Sequence, residues 1–66
     1  MSVLKVIEVL SNSEVSWEDA AHKGIAKAAT SLKNIRSVYI KEQSAAVQDG
    51  KITQYRVTLK LSFELE

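Results

Sequence analysis

Cysteine and proline are absent from this chain, and histidine occurs once, as His22. Without cysteine there is no disulfide and no thiolate metal site. A single histidine excludes a histidine-cluster metal site and any Ser/His or Cys/His triad within one chain. Glycine is scarce at two residues, and no Gly-rich phosphate loop exists. Neither positive nor negative side chains are in clear excess. Nine basic and eight acidic side chains nearly cancel, so the chain has no electrostatic footprint for nucleic acid. The longest apolar stretches are a few residues, far short of a membrane span. The first residues, Met-Ser-Val-Leu-Lys-Val-Ile-Glu, lack the long apolar core of a signal peptide. These features predict a cytoplasmic protein that binds neither membrane nor nucleic acid. They also argue against an enzyme, since no activated nucleophile and no pair of differently tuned carboxylates stands out.

The chain does carry period. From Tyr55 to Glu66, apolar and polar residues alternate without a break, the pattern of a strand with one buried face. Tyr55, Val57, Leu59, Leu61, Phe63 and Leu65 need cover. Sixty-six residues make a single domain, residues 1–66, whose own core is marginal. Disulfides and thiolate metal sites being excluded, oligomerisation is the expected source of further stability.

A first strand is predicted over Val3 to Leu10, largely apolar on both faces, one for a helix and one for a neighbour. Ser11 to Ser16 reads as a polar loop. Ser16 with Asp19 fits a capping box, and Glu18 and Asp19 suit the positive end of a helix dipole. The helix is predicted from Trp17 to Lys33. Its apolar stripe, Trp17, Ala21, Gly24, Ile25, Ala28 and Leu32, is mostly small, which lets a helix lie close against a sheet.

A second strand is predicted over Arg36 to Val47, with Val38 and Ile40 on one face and Ser37, Tyr39, Lys41 and Gln43 on the other. A bulge is expected somewhere in Gln43 to Val47. Asp49-Gly50 marks a hairpin into the third strand, from Lys51. The predicted fold is α+β, in the order β-α-β-β. Its three-stranded antiparallel sheet has strand order 1-3-2 and wraps one helix. Arg56, Thr58, Lys60, Ser62 and Glu64 share the polar face of the last strand, where opposite charges are expected to pair across strands.

Several stretches taken together resemble the dodecin family. They are Lys5-Val6-Ile7-Glu8-Val9, Ser16-Trp17-Glu18-Asp19-Ala20-Ala21, Arg36-Ser37-Val38-Tyr39-Ile40-Lys41-Glu42-Gln43, Asp49-Gly50-Lys51 and Ser62-Phe63-Glu64-Leu65-Glu66. The resemblance implies a small homododecameric shell that binds or sequesters a ligand, by family default a flavin (FMN or riboflavin). Flavin-binding members stack paired isoalloxazine rings on a Trp near the start of the second strand, where this chain has Ser37. A Gln of the third strand reads the ring edge, and the match here is Arg56. An acidic residue late in strand two is matched by Glu42. Ser37 cannot stack, an interaction worth about 0.5–1.5 kcal/mol per aromatic pair. Arg56 only donates hydrogen bonds and cannot accept one from the flavin N–H. The resemblance is stronger to the branch that lacks the Trp and is described as calcium-binding. The alternative to flavin is therefore a calcium-holding assembly.

The remaining candidates divide the same way. Trp17 reads as core or subunit packing before a displaced flavin platform, and Tyr39 as interface packing before ligand stacking. Arg56 reads first as the partner of an acidic residue in the same or a neighbouring subunit, and second as an anion ligand. Glu8, Glu42, Glu64 and Glu66 are hard oxygen donors that symmetry would repeat into rings around an axis. The plainer reading of each is a paired or solvated acid. His22 is expected to be exposed on the helix.

Overall fold

The computed structural model describes residues 3–65. Four elements follow in order: β1 (Val3–Ser13), α1 (Trp17–Ala28), β2 (Ile35–Gln48) and β3 (Lys51–Leu65). The sheet is antiparallel in the order β1-β3-β2, as the hairpin signal and the long alternating strand predicted. Glu66, the last residue of the predicted strand, lies outside the described residues. Among the described residues no helix is long and apolar enough to cross a membrane.

Register decides which residues meet α1. Ile7 and Val38 flank Leu61 in the sheet, and Val9 and Ile40 flank Leu59, so these six share the helix-facing side. Only part of that side is covered. Ala20, Ala21, Val57, Leu59 and Leu61 form the core, while Val38 and Ile40 stay 37% and 42% exposed. The helix lies mainly over β1 and β3 and leaves Val38 and Ile40 of β2 partly uncovered. Gly24 sets its distance from the sheet. A Cβ there would stand 2.8 Å from Leu59 Cδ1 and 3.1 Å from Ser11 Cβ, so only glycine permits this approach.

Two boundaries differ from the sequence expectation by three residues or more. β1 continues to Ser13, three residues beyond Leu10, because Ser11, Asn12 and Ser13 pair with Val57, Arg56 and Tyr55. The helix stops at Ala28 instead of Lys33. Thr30 turns its hydroxyl back onto the Lys27 carbonyl at 2.6 Å, and the backbone tightens into the Thr30-to-Lys27 and Ser31-to-Ala28 bonds. Asn34, at φ 63°, then redirects the chain. The β2–β3 register shifts between Ile35 and Ser37, between Ile40 and Glu42, and between Ala46 and Val47, the last with its extra residue, Thr53, on β3. The middle shift moves Gln43 onto the helix-facing side opposite Val57, whereas simple alternation had put it beside Tyr39.

The chain is long and thin, at 51 × 20 × 13 Å. Its radius of gyration of 13.5 Å exceeds the roughly 11 Å expected of a compact domain of this length. The excess is the β2–β3 hairpin, which runs past the end of β1. Asp49 and Gly50 turn it with φ of 53° and 76°, the paired positive values of a type I′ turn.

Candidate functional site

Ser37, Glu42 and Arg56 lie on the sheet face turned away from α1. Alternation on β3 puts Arg56, Thr58, Lys60, Ser62 and Glu64 there. Pairing adds Glu8 and Asn12 from β1, and Ser37, Tyr39, Glu42 and Ser44 from β2. Charges on this face pair across strands as predicted. Arg36 Nε donates to Glu64 Oε1 at 2.9 Å, and Lys41 Nζ donates to Glu8 Oε2 at 3.1 Å. The Glu8 carboxylate holds the Lys41 ammonium above its usual range, first through the hydrogen bond and then through charge.

Arg56 departs from expectation within the chain. Its Nε donates to the Asn12 amide oxygen at 2.9 Å instead of meeting a carboxylate. Ser37 and Ser62 join their hydroxyls in a short hydrogen bond. Glu42 sits opposite Thr58, diagonal to Arg56, and is exposed. Ser37 is far from that pair. Its partner Ser62 lies six residues along β3 from Arg56, roughly 20 Å at strand rise. A pocket that uses both Ser37 and Arg56 must therefore take them from different copies of the chain. Among the described residues no three His, Cys, Asp or Glu side chains come together.

Trp17 is on the other side of the sheet. Its indole N–H donates to the Ser44 carbonyl at 2.8 Å, and its ring meets Tyr55 edge-on, centroids 4.9 Å apart. It packs against the core and braces the hairpin. Tyr39 is 62% exposed beside Lys60, and His22 is exposed on α1, as expected.

Two features escaped sequence reasoning. Ser13, 4% exposed, donates to Asp19 Oδ2 at 2.5 Å and accepts the Val15 N–H at 2.9 Å. The polar loop was visible, but nothing distinguished Ser13 from Ser11. The second is a groove of about 470 Å³ between α1 and β1, floored by Ile7, Val9, Ala28 and Leu32 with Lys27 at its rim. It contains none of Ser37, Glu42 and Arg56.

Comparison with known proteins places this geometry in a family. The chain is 44% identical over 66 residues to calcium dodecin of Mycobacterium tuberculosis, covering 98% of this chain and 92% of that protein. A crystal structure of that calcium dodecin, described as having a novel calcium-binding site, superposes with a TM-score of 0.85 at 41% identity, covering 98% of this chain and 93% of that one. The backbone also matches a point mutant of T. thermophilus dodecin, with a TM-score of 0.95 at 27% identity over 100% of this chain and 98% of that one. Dodecin from Streptomyces davaonensis gives 0.94 at 26% identity, over 98% and 96%. The dodecin family model matches residues 3–66, and the chain belongs to the dodecin family.

Proposed function

We propose that this chain, as one domain, is the subunit of a homododecameric binding shell that holds calcium in preference to flavin. The observation that carries the reading is what replaces an aromatic platform on the outer sheet face. Ser37 presents a hydroxyl bonded to Ser62, and Thr58 and the exposed Glu42 carboxylate lie on the same face. These are hard oxygen donors, suited to calcium. The 44% identity to a protein named calcium dodecin supports the same choice. Among the described residues no three carboxylates come together in one chain, but symmetry multiplies each. Glu42 is the residue we assign to the ion, because Glu8 and Glu64 already serve Lys41 and Arg36. Self-assembly is supported by the apolar surface one chain leaves bare, including Leu4, Val6 and Leu10 at 51–69% exposure on the outer face of β1.

Calorimetric titration with calcium chloride tests the reading. Saturable heat that Glu42→Gln removes is expected, together with unchanged FMN fluorescence on adding protein. Quenching of micromolar FMN with no calcium heat would reverse the assignment in favour of a flavin store.

A further inference from the structure

The hairpin ends in an apolar pair with no cover of its own. Val47 and Ile52 are cross-strand partners, 66% and 47% exposed, and β1 does not reach them, since its last residue pairs with Tyr55. Asp49 stands at the turn just beyond. The groove between α1 and β1 is complementary in kind, with its apolar floor and Lys27 at the rim. Among the described residues Lys27 and Asp49 make no ion pair, whereas the neighbouring Lys23 is engaged by Asp19 at 3.1 Å.

We infer that the β2–β3 tip of one copy seats in the α1–β1 groove of the next, with Val47 and Ile52 on the floor and Asp49 against Lys27. The inference rests on the self-assembly reading and names the contact that assembly uses. A tip cannot fill its own groove. Ile52 is seven residues along β3 from Leu59, the partner of Val9, which is roughly 23 Å. Charge selects the arrangement. Groove against groove opposes two Lys27 ammoniums, and tip against tip leaves them without a carboxylate; tip in groove sets Asp49, which stands beside Lys51 at the turn, against Lys27. The contact is head-to-tail, so its repetition builds a ring when the rotation closes.

A chain without native cysteine makes the test clean. Val47→Cys and Ala28→Cys are introduced together, with each single variant as control. Ile52→Cys with Leu32→Cys is a second pair in case the first disturbs packing. A disulfide forms only where Cα atoms come within about 4.4–6.8 Å, so an intrachain bond is out of reach for either pair. Oxidation is expected to place most chains of a double variant in covalent dimers and higher multimers, and few chains of either single variant. An intact assembly by native mass spectrometry with no covalent ladder from either pair overturns the tip-in-groove contact and leaves self-assembly standing. A monomeric wild-type chain in the same measurement overturns both.

Discussion

Ser13 donates its hydroxyl to the Asp19 carboxylate at 2.5 Å, tying the last residue of β1 to the first turn of α1. The Ser13 hydroxyl in turn accepts the Val15 amide, and Ser16 caps the Asp19 amide at 2.9 Å. The loop between strand and helix is thus closed by its own side chains.

The tie has a pH signature. The Ser13 hydrogen bond, and then Lys23, hold the Asp19 carboxyl below its usual range. A carboxylate with a depressed folded pKa contributes stability that is complete above its unfolded value and lost as pH falls through the folded one. Stability of the wild type should therefore fall on acidification below about pH 4, the usual Asp value. Asp19→Asn should flatten that part of the profile in urea titrations at stepped pH. Ser13→Ala removes a buried hydroxyl and should cost about 1 kcal/mol at neutral pH. An unchanged midpoint would assign the helix start to Ser16 alone.

Gly24→Ala sets two effects against each other. Alanine gains about 1 kcal/mol of helix propensity over glycine. The new methyl would stand 2.8 Å from Leu59 Cδ1, and Leu59 is fully buried with little room to turn away. Overpacking of this kind costs about 1–3 kcal/mol. A net loss is expected, read as a lower denaturation midpoint with an unchanged m-value. A more stable variant would mean that the helix can lift from β3 without penalty.

Trp17→Phe separates packing from hydrogen bonding. The Phe ring keeps apolar contact with Tyr55, but the donor to the Ser44 carbonyl is lost. That bond anchors a hairpin that α1 otherwise barely touches. A loss of about 1 kcal/mol is expected, with faster amide exchange concentrated in residues 44–54. Far-ultraviolet circular dichroism is the readout for stability, since the variant removes the only tryptophan. Slow exchange in that hairpin would place its support in contacts between copies.

Much of this fold could be read from the chain because its strongest signals are periodic. The alternation from Tyr55 to Leu65 identified the central strand, and Asp49-Gly50 identified the hairpin. The small stripe around Ala21 and Gly24 identified the close helix. What could not be read depends on contacts that have no period. The helix end was lost to a Thr30 hydroxyl that competes for a backbone carbonyl, and Gln43 changed faces through a bulge at Lys41. The site was legible as a face but not as a pocket, because register alone shows that Ser37 and Arg56 stand six β3 residues apart.

That separation makes the pocket itself testable. Ser37→Trp restores a stacking surface, and Arg56→Gln restores a group that can accept a hydrogen bond from a flavin ring edge. The first change breaks the Ser37–Ser62 bond and the second the Arg56–Asn12 bond, both on an exposed face where the loss to folding is small. If copies bring position 37 of one chain to position 56 of another, the double variant should quench FMN fluorescence, whereas the wild type should not. Each single variant should quench less than the pair, because platform and reader act on the same ring. Aromatic stacking worth about 0.5–1.5 kcal/mol per pair corresponds to a roughly two- to twelvefold gain in affinity from the Trp. A double variant that assembles normally yet leaves flavin fluorescence untouched would show that these positions do not converge between copies.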